Sequence, residues 1–255
     1  MKTRTAAGAA LALAAALFPL SARAYRPLTT EDAGVVGKGK LQLESSWDRL
    51  SMPDREIEDY LLLVPSYGLT ERLEAAVALP FVLLKPEEEA RRGGLGDVMA
   101  YFKFQAVKED GHRPALTALA SWRSDSGKHR HGLGAGYREL GLFGVGSKDL
   151  GRFQLNAMAG EAFAFGQDED IRDAFQYGTS LDYRLVEIKR RPLFLLSEIL
   201  GGENPDRSRE EWRATWFWGL LFEPTPRLAF DIGIGWGLED VSPRWRTTLG
   251  ATCTF

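Results

Sequence analysis

The feature that most constrains the fold is an alternation of apolar residues with small or polar ones, which recurs along the chain between turn residues. Successive side chains of a β-strand point to opposite faces, so the pattern predicts strands with one apolar and one polar face. In the last such segment one face consists of Trp245, Thr247, Leu249, Ala251, Cys253 and Phe255, and the other of Arg246, Thr248, Gly250, Thr252 and Thr254.

The same alternation covers residues 41–48, 73–81, 97–105 and 175–183. The non-apolar face is rich in Gly, Ser, Thr and Gln with isolated charges, as a water-filled lumen requires. A soluble β-sandwich has the opposite distribution, with a dry interior and a charged exterior. The pattern therefore favours a transmembrane β-barrel with its apolar face toward lipid, and a soluble periplasmic sandwich remains the alternative fold.

Turn residues divide the chain into about twelve strands joined by short and long connections in strict alternation. An even number of strands places both termini of the chain on one side of the membrane, which is the periplasmic side if the short turns lie there. The predicted fold class is all-β, an antiparallel transmembrane β-barrel with short periplasmic turns and longer extracellular loops. Short connections are predicted near residues 68–71, 108–112, 148–151, 186–191 and 224–227, and long ones near 50–56, 85–94, 123–134, 166–172, 202–210 and 238–243.

Aromatic residues are concentrated near the predicted strand ends, as in the two aromatic girdles of membrane barrels. The chain ends on Phe255, and a terminal aromatic that closes an alternating strand resembles the signal by which bacterial outer-membrane barrels reach their assembly machinery. We therefore expect that machinery and outer-membrane lipid as partners. Trp47, Trp122, Trp212, Trp236 and Trp245 adjoin the long connections, and Tyr67, Phe153, Tyr183, Phe222 and Phe255 adjoin the short ones or the chain end.

Residues 1–24 have the three parts of a secretory signal peptide: Lys2 and Arg4, an Ala/Leu-rich run, and small residues at 22–24. Residues 25–39 lack a strand pattern, and we expect them to fold into the lumen or its periplasmic mouth as a partial plug. Residues 40–255 would then form the barrel. The predicted location is the bacterial outer membrane.

Composition excludes several classes of function. A single cysteine excludes an internal disulfide framework and Cys-rich metal modules. Without the signal peptide the chain has 29 basic and 35 acidic residues, a net charge of about -6, and the sequence pI is 5.8. Nucleic-acid surfaces are basic, so we expect no nucleic-acid partner.

The predicted inward faces carry charges that would line the lumen. Because acidic side chains outnumber basic ones among them, their electrostatic field alone would favour the passage of cations over anions. Alternatively, the charges pair into a network that stiffens a narrow, nearly closed barrel, and both interpretations stay open. The residues are Glu44, Asp48, Glu74, Asp97, Asp182, Glu198 and Asp231, with Lys103, Arg213 and Arg246.

Candidate catalytic and metal sites are weak. His129 and His131 lack a third nearby ligand, and zinc sites use three or four. Ser126 precedes His129, which leaves a lipid-modifying enzyme conceivable, yet no nucleophile-elbow pattern supports it. The acidic residues 168–170 with Asp173 lack the spacing of a calcium loop. We expect no catalytic residues, metal or cofactor.

Other residues could meet lipid or a partner. Arg123, Lys128 and Arg130 could contact the phosphates of outer-leaflet lipopolysaccharide. Trp216 and Trp218 are predicted to face lipid, although clustered Trp can also mark a partner surface. Cys253 should face outward as an inert thiol.

Six segments in order resemble the outer-membrane transporters grouped as the phenol-degradation meta-pathway family. The resemblance spans nearly the whole mature chain and implies an outer-membrane barrel that passes small solutes, hydrophobic or aromatic ones in particular. It departs at residues 121–138, where the family has a Pro-Thr-Gly turn. Closed structural or adhesive barrels and, less favoured, a lipid-modifying enzyme are the alternatives. The segments are RPLTTEDAG (26–34), GKGKLQLE (37–44), YGLTERLE (67–74), GLGDV (94–98), SKDLG (147–151) and DVSPRWR (240–246).

Overall fold

A computed structural model describes residues 26–53, 56–85, 91–166, 171–188, 191–206 and 212–255. The predicted signal peptide, residues 1–24, and the acidic residues 168–170 lie outside these ranges. Within the described ranges no helix has the length and hydropathy needed to cross a bilayer.

The regular elements of the described chain are thirteen β-strands and one short 3-10 helix at His129–His131. The strands are β1 (Leu41–Ser51), β2 (Ile57–Gly68), β3 (Leu73–Lys85), β4 (Arg92–Leu95), β5 (Met99–Val107), β6 (Ala115–Arg123), β7 (Arg138–Asp149), β8 (Phe153–Phe165), β9 (Ala174–Ile188), β10 (Arg191–Glu203), β11 (Trp212–Thr225), β12 (Leu228–Gly237) and β13 (Trp245–Thr254).

The strands form one closed antiparallel barrel. Neighbours in the sequence pair in order, and β1 pairs with β13 to close the ring. Strands β4 and β5 both pair with β3, at Phe81–Leu84 and Leu73–Ala78 respectively, so they are two halves of one barrel strand interrupted at residues 96–98. The barrel therefore has twelve strands, which confirms the predicted fold class.

The connections fall close to the predicted turns. The predicted short connections, such as 69–72 and 226–227, lie on the same side of the barrel as residue 40 and the C-terminus. Strict alternation of length was wrong, because the predicted short connection 108–114 is longer than the predicted long connections 52–56 and 86–91. Antiparallel strands can be joined by a tight turn at either end, so connection length is free to vary.

The two faces of the wall have the distribution that the alternation predicts. Ile232 is 55% exposed and points outward, whereas the adjacent Asp231 is 3% exposed and points inward. Leu249 and Thr248 form the same kind of pair on β13, at 55% and 2% exposed. Large apolar side chains on the outside and buried polar ones inside match a barrel surrounded by lipid.

The interior is less polar than predicted. Leu28 packs in a buried apolar cluster on one side of the interior, and Ala33 packs in a second cluster further along. Residues 26–36 occupy space that water would otherwise fill, so apolar side chains on the inward face gain a dry surface to pack against. The clusters contain Phe194, Leu196, Phe217, Leu221 and Ala229 around Leu28, and Ala115, Leu119, Val145 and Met158 around Ala33.

Candidate functional site

Residues 26–36, called here the luminal segment, cross the interior of the barrel and bond to strands on every side. The segment precedes β1 and enters from the short-turn side. Its polar contacts then reach strands that lie far apart around the ring. These partners are Asp48 on β1, Glu74 on β3, Lys103 and Gln105 on β5, Thr117 on β6, Ser147 on β7, Glu198 on β10, Asp231 on β12 and Thr248 on β13.

Arg26 lies at the far end of the luminal segment among buried acids. Its Nη2 is 2.6 Å from Thr248 Oγ1 and 3.5 Å from Asp48 Oδ2. Its Nε is 3.8 Å from Asp231 Oδ2. Asp48 also accepts from Arg246, whose Nη2 lies 2.8 Å from Asp48 Oδ1. Because buried charges are tolerated only when paired, these contacts hold Arg26 in place.

Glu198 anchors the luminal segment through its backbone. The carboxylate of Glu198, 2% exposed, accepts from the N–H of Thr29 at 2.7 Å and from the N–H of Thr30. Arg246 adds a third link, with Nη1 3.0 Å from Thr29 Oγ1. Without Glu198, the N–H of the buried Thr30 would be left unsatisfied, and the N–H of the more exposed Thr29 would lose its partner.

Lys103 is the cation of a second buried cluster. Its Nζ is 3.0 Å from Glu31 Oε2 and 3.9 Å from Asp32 Oδ1 of the luminal segment. Glu74 accepts the N–H of Val36 at 2.7 Å. Glu44 lines the same small cavity, of about 30 Å³, with Glu31 and Asp32. This cluster ties the segment to β3 and β5.

Ala33 bonds through its backbone to a row of polar side chains that sequence reasoning did not single out. Its N–H donates to Ser147 Oγ at 2.7 Å, and its carbonyl accepts from Thr117 Oγ1 at 2.6 Å. Ser147 continues the row by donating to Asn156 at 2.7 Å, and Asn156 donates to Ser180 at 3.0 Å. Polar residues at inward positions of β7, β8 and β9 were the signal that could have identified the row.

Asp97 lies between β4 and β5, where it holds a loop. Its carboxylate accepts from the N–H of Gly127 at 2.8 Å and of Ala135 at 2.7 Å. Arg123 lies 3.3 Å from Asp97 and 2.9 Å from Glu139. Arg123 therefore points inward and is paired, which argues against its suggested contact with lipopolysaccharide phosphates.

Beyond these clusters, a cavity of about 250 Å³ lies at the long-connection end of the barrel. Its lining includes Glu198 and Arg246, which bond to Thr29, so the luminal segment bounds it on the short-turn side. Arg213, another predicted inward residue, also lines it. The cavity itself was not predicted. Its lining comes from β1, β9–β13 and the connection 238–244, which are far apart in the sequence and meet only in the closed barrel.

The structure thus brings most of the predicted inward charges together around the luminal segment. Asp182 lies apart from it on β9, on the same face as Ser180. Asp97 accepts hydrogen bonds from the loop 124–137 instead, and Arg213 lines the cavity. The residues gathered at the segment are Glu44, Asp48, Glu74, Lys103, Glu198, Asp231 and Arg246.

The residues considered for chemistry are not arranged as a site. His129 and His131 are exposed on the 3-10 helix, and His129 Nδ1 lies 3.2 Å from the carbonyl of Gly134. The Ser126 hydroxyl accepts from the N–H of Val98 and donates to a backbone carbonyl. Within the described part of the chain, no group of three His, Cys, Asp or Glu could hold a metal ion.

Several outward residues lie where the alternation places them. Trp216 is 40% exposed, and its ring centroid is 5.5 Å from that of Trp218 on the same face of β11. Cys253 is a free, half-buried thiol on the outward face of β13. Stacked Phe153 and Tyr183, with centroids 4.7 Å apart, adjoin a short connection.

No family model and no curated protein matches the chain. Among solved structures, it is similar to an outer membrane channel from Pseudomonas putida F1, with a TM-score of 0.66, 14% identity, and coverage of 89% of this chain and 100% of that one. The NanC porin matches at a TM-score of 0.59 and 11% identity, covering 84% of this chain and 98% of that one. The KdgM porin matches at a TM-score of 0.57 and 9% identity, covering 84% of this chain and 99% of that one. The chain therefore has the fold of outer-membrane β-barrels of the porin kind.

Proposed function

We propose that the chain is an outer-membrane channel for small solutes in which the luminal segment acts as a plug. The observation that carries the proposal is the set of bonds from residues 26–36 to strands on all sides of a closed barrel. These bonds place ordered chain across the path that a solute would take. Passage then requires that the segment leave, or shift within, the lumen.

The solute class follows from the resemblance and from the cavity. The segments that resemble the phenol-degradation meta-pathway family imply hydrophobic or aromatic solutes. Leu200, Phe217 and Pro243 give the cavity apolar walls, which would suit such a solute.

Export and assembly complete the proposal. Residues 1–24 would direct export, and the final strand ending in Phe255 would be recognised by the barrel assembly machinery. The exposed apolar belt would then face outer-membrane lipid and lipopolysaccharide. Because the described part of the wall is lined outside by side chains such as Leu249 and Ile232, a bilayer is the environment in which these residues are stable.

A sealed structural barrel is the second candidate. It is favoured because Arg26 and Lys103 are each paired with acidic residues. Both cations are buried and each is held by acids, at 3.5 Å from Asp48 and 3.0 Å from Glu31. A network of this kind stiffens the interior without any need for passage. The two candidates differ in one measurable property, which is whether the segment moves.

A reversible crosslink tests this. In a Cys253→Ser background, the pair Ala33→Cys and Ser147→Cys replaces residues joined by a 2.7 Å bond, so that a disulfide would lock the luminal segment to β7. Single-channel current is recorded in a planar bilayer before and after reduction of the same protein. Openings that occur only after reduction support the plugged channel. Equal silence in both states, from a barrel that shows the heat-dependent gel shift of a folded protein, would favour the sealed barrel.

A further inference from the structure

Arg213 differs from Arg26, Lys103 and Arg246, the three inward-facing cations that bond to the luminal segment or belong to it. It forms no hydrogen bond or ion pair with any residue in the described ranges, although it is half-buried and lines the 250 Å³ cavity. Arg26, Lys103 and Arg246 each have an acidic partner within 3.5 Å. No side-chain nitrogen of Arg213 is both fully buried and without a partner, so the guanidinium is open to the cavity and within reach of a ligand.

Among the described residues, the acids near Arg213 are already engaged. Glu139 acts on it electrostatically, but the Glu139 carboxylate is bound to Arg123 at 2.9 Å. Glu198, which lines the same cavity, accepts from the backbone of Thr29 at 2.7 Å. The charge of Arg213 is therefore available to an anion that enters the cavity.

The rest of the lining is mostly apolar and has room for one ring. A cavity of about 150 Å³ can hold benzene, so one of about 250 Å³ can hold a ring with a polar substituent. Leu200, Phe217 and Pro243 supply apolar surface, and Gln176 supplies a further donor. The cavity thus combines a small apolar volume with the guanidinium of Arg213, which no described residue pairs.

We propose that this cavity binds a small organic anion, with Arg213 contacting the anionic group and the apolar walls holding an aromatic or aliphatic body. The proposal rests on the channel function and narrows its solute class to carboxylates and related anions. Guanidinium binds carboxylate in a planar, bidentate geometry, which explains an arginine at this position. Because the luminal segment bounds the cavity on the short-turn side, the anion would be held before the plug, on the side of the long connections.

Calorimetric titration of the full mature protein in detergent tests the site without requiring passage. Benzoate is the probe, and benzamide is its neutral match in size and shape. The variants are Arg213→Gln, Arg213→Lys and the control Arg184→Gln. Arg184 also faces inward, with its guanidinium 5.9 Å from the Phe194 ring, but it does not line the cavity.

We expect benzoate to bind the unaltered protein more tightly than benzamide. Arg213→Gln should weaken the binding of benzoate roughly tenfold or more, as expected for loss of a charge-assisted bond. The binding of benzamide should stay unchanged. Arg213→Lys should retain part of the preference, and Arg184→Gln should retain all of it. Equal binding of the two probes, or a preference that survives Arg213→Gln, would overturn the site.

The same experiment separates this proposal from the channel itself. Benzoate binding with no current in the reduced crosslinked protein would keep the site and reject the channel. Current without any preference for benzoate would keep the channel and reject the site. The heat-dependent gel shift checks that each variant is folded.

Discussion

Replacing Glu198 by Ala should release the luminal segment. The substitution removes the acceptor for the N–H groups of Thr29 and Thr30, both of which bond to a carboxylate that is 2% exposed. A hydrogen bond to a charged group contributes about 1.5–3 kcal/mol. Loss of two such bonds should weaken docking of the segment by roughly 3 kcal/mol or more. Since each 1.4 kcal/mol is about tenfold, the undocked fraction should rise roughly 100-fold.

Single-channel recording in a planar bilayer measures this directly as the fraction of time open. Asp59→Ala is the matched control, because Asp59 is an equally buried carboxylate that bonds to Arg49 and Lys85 and not to the luminal segment. Its open fraction should stay at the level of the unaltered protein. The reasoning would be refuted if Glu198→Ala, folded by the gel-shift criterion, opened no more often than Asp59→Ala.

Three further results are expected. Lys103→Met leaves the acids around it without their cation and should lower the free energy of unfolding by about 3–5 kcal/mol, measured by urea unfolding in lipid vesicles; unchanged stability would contradict the buried pairing. Asp59→Ala should cost about 1–3 kcal/mol in the same assay, since Arg49 lies 2.7 Å from Asp59 and Lys85 also bonds to it, and a loss below that range would mean that water replaces these bonds. Brominated lipids should quench the fluorescence of Trp216 more than an aqueous quencher does, as judged by the signal lost in Trp216→Phe, and the reverse order would place this face away from lipid.

Much of the fold could be predicted because it depends on local periodicity. Alternation with period two assigns every second residue to one face whatever the neighbouring strands are. The outward placement of Trp216 and the inward placement of Thr248 follow from that rule alone. The break at residues 96–98 was not predictable, because it reflects a one-residue change of register against β3, from Phe81↔Leu95 to Ala78↔Met99.

By itself, the sequence determined the all-β class, the number of strands and the alternation that turns every second side chain, charged ones among them, toward the interior, since these depend on spacing along the chain. Only the tertiary structure decided what those charges contact. Arg26 meets Thr248 and Thr29 meets Glu198, pairs separated by 222 and 169 residues, because closing the ring and threading the luminal segment through it brings distant strands together. The same closure pairs Lys103 with Glu31 and leaves Arg213 in a cavity without a partner among the described residues, a difference that no local pattern contains.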